Sequence, residues 1–150
     1  MNGFGSAFLL AQVGAHAAQR FAARIGELDL TPPQVGLLRL VASRPGQSQQ
    51  AIAAQLGTPA TRLVALVDGL EKRGLIERRR NPDDRRLYAV ELTDDGRAFM
   101  GRVAQAAAAH DRALTAALSD DERATLHALL TKIAADQGLT PGVHPGYAKP

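Results

Sequence analysis

Leu75-Ile76-Glu77-Arg78-Arg79-Arg80-Asn81-Pro82-Asp83-Asp84-Arg85-Arg86-Leu87-Tyr88-Ala89-Val90-Glu91-Leu92 is the stretch that sets the fold. Two strand-like runs flank the turn formers Asn81 to Asp84, which reads as a β-hairpin with a charged tip. Just upstream, Thr58-Pro59 opens a helix whose apolar stripe of Leu63, Leu66, Val67 and Leu70 runs to Gly74. Before that, Ser48 caps a short helix through Leu56, and Gly57 ends it. Two short helices joined by a tight break, followed by a hairpin, have the sequence form of a winged helix-turn-helix.

The flanks are helical. Thr31 caps and Pro32 starts a helix carrying Val35, Leu38 and Val41, which stops at Arg44-Pro45-Gly46. A first helix from about Phe4 to Ile25 aligns Leu10, Gly14, Ala17, Phe21 and Ile25 on one face. Downstream, Thr93 caps a long Ala-rich helix with Phe99, Val103, Ala107, His110 and Leu114, expected to reach about Leu118. Ser119 and Glu122 form a capping-box pattern for a last helix bearing Leu126, Leu129, Leu130 and Ile133. The expected class is mainly α with a small β-hairpin wing (α+β). One domain spans 1–137, with the winged lobe at about 31–92, and residues 138–150, rich in Pro and Gly, form a flexible tail.

The 150 residues, 45% hydrophobic and 22% charged, fit one soluble domain with its own core, and the 4% aromatic content favours close helix packing. Net charge is +3, yet residues 72–86 hold seven cations (Lys72, Arg73, Arg78, Arg79, Arg80, Arg85, Arg86) against Glu77, Asp83 and Asp84. That local excess exceeds the whole-chain charge and points to a polyanion. The absence of Cys excludes disulfides, thiolate nucleophiles and thiol redox sensing. The apolar stretch from Met1 to Ala18 contains Ala15-His16-Ala17 but lacks a preceding Lys or Arg, so no signal peptide is read, and no membrane span is found. The cytoplasm is the default location.

A helix-turn-helix with a basic hairpin suits duplex DNA, because the second helix fits the major groove while a narrow arginine-tipped wing enters the neighbouring minor groove. Thr58, Ala60, Thr61, Arg62 and Ala65, in the first turns of that helix, are expected to face base edges and phosphates. Ser48, Gln49 and Gln50, opening the preceding helix, are placed to donate to the backbone. On the hairpin, Arg79, Arg85 and Arg86 are the candidate contacts. Asp84 is read both as a turn former and as a carboxylate that orients an arginine.

Asp84-Arg85-Arg86 followed by Leu92-Thr93 and Gly96 resembles the wing signature of the MarR family of transcriptional regulators. The run Leu66-Val67-Asp68-Gly69-Leu70-Glu71-Lys72-Arg73-Gly74-Leu75-Ile76-Glu77-Arg78 is similar to that family's recognition-helix end and wing entry. The likeness covers about Gly46 to Gly96. It implies a homodimer whose terminal helices, 4–26 and 93–137, interlock and whose two lobes read a pseudo-palindromic operator, usually as a repressor. It also implies a small aromatic or anionic effector between dimer helices and lobe, with His16, Arg20 and His110 as candidate polar liners. The chain departs from the family at Ala65 and Gly69, where relatives carry polar or bulkier residues, so fewer base contacts are expected.

No catalytic constellation accompanies these features. His16, His110, His127 and His144 are dispersed without carboxylates at metal-ligand spacing, so no metal or cofactor is expected. Asp94, Asp95, Asp120, Asp121 and Glu122 sit in helix first turns, where negative charge suits the dipole. Ser43, Ser48 and Ser119 lack a nucleophile-elbow context. The competing reading from another class is a winged-helix module that binds protein, with DNA contact weak or incidental.

Overall fold

A computed structural model describes residues 3–84 and 88–148. Six α-helices surround a three-stranded antiparallel sheet: α1 (Ser6–Gly26), α2 (Pro32–Ser43), β1 (Gln47–Ser48), α3 (Gln49–Leu56), α4 (Ala60–Lys72), β2 (Ile76–Arg80), β3 (Tyr88–Leu92), α5 (Asp94–Leu114) and α6 (Asp120–Asp136). The fold is the mainly helical winged helix-turn-helix expected from the pattern. The sheet order is β1-β3-β2. Opposing Ile76 to Leu92 and Arg78 to Val90 sets the register of the wing.

The core lies in the winged lobe. Val35, Leu37 and Leu38 of α2, Ile52 of α3, Leu63, Val67 and Leu70 of α4, and Ile76 and Val90 of the wing are all buried. The i, i+4, i+7 spacing of the α4 residues brings them onto one inward face. By contrast, α6 has no buried residue and α1 buries Ile25 alone. Leu129 and Ile133 remain 54% and 46% exposed, and Phe8 and Val13 are similarly bare. Such a concentration of apolar surface marks an interaction face.

The junction between wing and α5 is the tightest part of the lobe. Thr93 donates its hydroxyl to Gly74 O at 2.5 Å while accepting from Gly96 N at 2.9 Å, and its own N–H reaches Leu75 O at 3.1 Å. A Cβ on Gly96 would lie 2.0 Å from Leu75 O, so the helix can start here only with glycine. The Leu92-Thr93…Gly96 signature is therefore a packing device that fixes the foot of the hairpin.

Three features depart from the sequence-based expectations. β1 was not expected, because a two-residue strand carries no alternation to read; it pairs Gln47 with Val90 and Ser48 with Ala89. α5 stops at Leu114 instead of about Leu118, where Arg123 Nε of α6 donates to Thr115 O and Oγ1, both at 3.2 Å. The tail is not loose over its described part. Pro145–Ala148 forms a 3-10 turn that packs on α2, and Tyr147 is only 7% exposed. One aromatic anchor outweighs the Pro and Gly content that predicted flexibility.

Candidate nucleic-acid interface

The helix-turn-helix is built from local capping. Ser48 Oγ accepts from Ala51 N at 3.1 Å and starts α3, and Gly57, at φ 64°, turns the chain sharply into α4. Only a residue tolerant of left-handed backbone keeps that turn short. Pro59 is the N-cap of α4, so the helix begins one residue later than the Thr58-Pro59 reading implied.

Of the expected DNA-facing residues on α4, Ala60, Thr61 and Ala65 are exposed and Arg62 is half-buried. Thr58 is a correction. It is 7% exposed, and its hydroxyl donates to Tyr147 O at 3.2 Å, so it faces inward to the tail and not outward to DNA. Ser48 and Gln49 are half-buried at the start of α3, with Gln50 exposed beside them.

The basic run proves to be unevenly used. Arg78 points back from the root of the wing to α4, where its guanidinium meets Asp68 Oδ1 at 2.5 Å and Glu71 Oε1 at 3.0 Å. Its Nε donates to Gln49 Oε1 at 2.9 Å, and its backbone N–H reaches Glu71 Oε2 at 3.2 Å. One side chain thus clamps wing, α3 and α4 into a unit. Arg79, although 64% exposed, pairs with Glu77 at 2.6 Å and Glu91 at 3.2 Å, and the Glu77 hydrogen bond raises its already high pKa. Arg73 donates to Asp29 O at 2.7 Å and Leu28 O at 3.0 Å, and lies 5.4 Å over the Phe99 ring.

Of the five cations of this run that are described, Arg73, Arg78 and Arg79 are therefore held by the protein itself, whereas Lys72 and Arg80 are exposed. Arg85 and Arg86 lie outside the described residues. Asp84 is half-buried at the edge of that segment, and Asp83 N donates to Asn81 Oδ1 at 2.9 Å in an Asx turn. The Arg78 clamp escaped the sequence reading, although Asp68 and Glu71, spaced i, i+3 on one face of α4, signalled a cationic partner.

His16, Arg20 and His110 do come together. They line a cleft of about 780 Å³ between α1 and α5, shared with Arg24, Glu27 and Leu114. The His110 ring rests at 5.4 Å from Phe21. Partial burial, followed by the nearby Arg24 charge, pushes its pKa below the ordinary imidazole value, against an opposing pull from Asp111. The cleft combines cationic groups with apolar walls, a surface suited to an anion with an apolar body. Among the described residues, no three His, Asp or Glu side chains gather to hold a metal ion.

No described helix is long and apolar enough to cross a membrane. The model of the MarR family matches residues 28–87, the winged lobe. A putative transcriptional regulatory protein for the hcr operon of Thauera aromatica is 36% identical over 126 residues, covering 83% of this chain and 76% of that protein. The transcriptional repressor CouR, solved on a 23-mer DNA duplex, matches with 36% identity and a TM-score of 0.76, covering 87% of this chain and 92% of that one. Wild-type MarR from E. coli, in its apo form, gives a TM-score of 0.79 at 26% identity, covering 89% and 98%. On the strength of these likenesses, the chain belongs to the MarR family of winged helix-turn-helix transcriptional regulators.

Proposed function

We propose that the protein is a homodimeric repressor that reads a pseudo-palindromic operator with α4 and the wing, and that a small aromatic or anionic effector in the α1–α5 cleft releases it. The observation that carries the reading is the Arg78 clamp, which binds the wing to α4 so that the two present one rigid surface. Ala60, Thr61, Arg62 and Ala65 face the major groove, while Ser48, Gln49 and Gln50 meet the phosphate backbone. Arg79, Arg85 and Arg86 act along the minor groove, with Asp84 orienting an arginine. The small side chains at Ala60 and Ala65 let the helix approach closely and leave few base-specific hydrogen bonds, so groove shape contributes to recognition.

The bare apolar faces of α1 and α6 support the dimer, because Leu126, Leu129, Leu130 and Ile133 find cover on a second copy. His16, Arg20 and His110 hold the effector's anionic group. Binding acts by favouring a dimer with its two α4 helices wrongly spaced, and only to the extent of its differential affinity for the two states. The protein works in the cytoplasm at the nucleoid and performs no catalysis.

The test is selection of bound sequences from random duplex DNA, followed by titration of the best site at several salt concentrations. An inverted repeat with half-sites about 10 base pairs apart is the expected result. Binding that stays near the non-specific range of about 10⁻⁴ to 10⁻⁶ M, with no enriched sequence, would refute the reading.

A further inference from the structure

We propose that Tyr147 is a positioning residue for DNA binding: the C-terminal segment is a strap that runs from the end of α6 to the start of the recognition helix and holds that helix in place. The role rests on the DNA-reading function proposed above.

Three observations converge. First, Thr58 is the sole buried polar or charged residue among those described, and its hydroxyl is satisfied by Tyr147 O, 89 positions away in sequence. Thr58 stands next to Pro59, the N-cap of α4, so the bond fixes the end of the helix that approaches the groove. Second, the Tyr147 ring occupies a seat that requires glycine beneath it. A Cβ at Gly36 would lie 2.6 Å from Tyr147 Cε2, and its three nearest neighbours would all be atoms of that ring. Third, the segment is folded by its own hydrogen bonds: Val143 N to Thr140 O, Gly146 N to His144 Nδ1 and Tyr147 N to His144 O. His144 adds a ring contact to Tyr147 at 5.7 Å.

The geometry makes a second route between the two functional parts. α1 and α5 contact the lobe through α2 and β3, whereas the strap leaves α6, which buries none of its residues, and ends at the turn between α3 and α4. Releasing the ring strips Thr58 of its partner and exposes the first turn of α4. A helix freed in this way must be ordered again on the operator, which weakens binding.

The experiment uses the full chain with Tyr147→Ala, Tyr147→Phe, Gly36→Ala and the Gly36→Ala/Tyr147→Ala pair. Amide hydrogen exchange is read at Thr58 and over residues 63–66, the leading amides of α4 that have backbone partners, and affinity is read on the operator recovered by selection. Tyr147→Ala and Gly36→Ala each speed exchange in that turn by roughly tenfold and weaken operator binding several-fold. Tyr147→Phe, which keeps the ring, matches wild type. In the pair, Gly36→Ala adds nothing to Tyr147→Ala, because the ring it would strike is gone. Unchanged exchange in Tyr147→Ala overturns the strap, as does a Gly36→Ala effect of equal size with and without the ring. Faster exchange with unaltered operator affinity overturns the positioning role. A wild-type chain that selects no duplex overturns the DNA-reading function instead.

Discussion

Replacing Arg78 with methionine keeps an apolar stem of similar reach and removes the guanidinium, so it isolates the clamp between wing and recognition helix. Asp68 and Glu71 are 51% and 41% exposed, which limits each ion pair to at most about 0.5–1 kcal/mol after solvent screening. The hydrogen bond to Gln49 contributes about 1 kcal/mol more. Asp68 and Glu71 are then left as like charges at i, i+3, a further cost of a few tenths. The expected loss is about 2–3 kcal/mol, readable as a lower denaturation midpoint. DNA binding falls as well, because two uncovered carboxylates now stand on the recognition helix near phosphates. Neutralising them separates this cause from a direct phosphate contact. In Asp68→Asn/Glu71→Gln/Arg78→Met, affinity recovers the share lost to the two carboxylates but not the share lost by freeing the wing from α4, and the salt dependence keeps its wild-type slope. A phosphate contact by Arg78 would instead leave the triple variant weak, with its slope lower by about 0.9. Wild-type stability and affinity in Arg78→Met would refute the clamp.

Gly96→Ala forces α5 away from Leu75 O, a steric cost of about 1–3 kcal/mol that outweighs the helix propensity gained, and chemical denaturation measures the balance. A variant as stable as wild type would show that the hairpin foot yields freely. Leu129→Glu/Ile133→Glu places charges on the bare face of α6 and converts the dimer to monomer in sedimentation experiments; a persistent dimer would place the interface elsewhere. Burial and the Arg24 charge favour neutral His110 in the folded protein. The unfolded chain therefore takes up its proton first as pH falls through about 6.5, and stability declines from there downward. An anion seated beside Arg24 favours the imidazolium, so benzoate used as a probe binds tighter at about pH 5.5 than at about pH 7.5, and His110→Gln removes most of that difference.

The elements written in capping residues and periodicity were legible in the sequence. Ser119 accepts from Glu122 N at 3.2 Å, and its own N–H donates to the Glu122 carboxylate at 2.9 Å, as the capping-box pattern implies. The inward stripe Leu63, Val67, Leu70 was equally plain. What depended on contacts between distant segments was not. Thr58 looked like an exposed cap because nothing local reveals a partner at Tyr147, and the tail looked loose because its composition says nothing about a seat over Gly36. The basic run was legible as a cluster, but counting charge could not distinguish Arg73, Arg78 and Arg79, which the protein itself holds, from Lys72 and Arg80, which stand exposed. The cleft residues His16, Arg20 and His110 came from the family resemblance, and α1 packing beside α5 brings them to one place.

The grip of Arg73 on the carbonyls of Leu28 and Asp29 has a mechanical consequence. It pins the trailing end of α4 to the link between α1 and α2, with Phe99 of α5 beneath the same guanidinium. Three elements thus share one pivot. The 13 residues of α4 form a lever about 20 Å long from that point to the leading end. A rotation of about 10° at the pivot sweeps the tip through about 3.4 Å, close to the rise of one base step. Small tilts of the terminal helices are thereby magnified into whole-base-pair errors of register, and two such levers in a dimer double the mismatch.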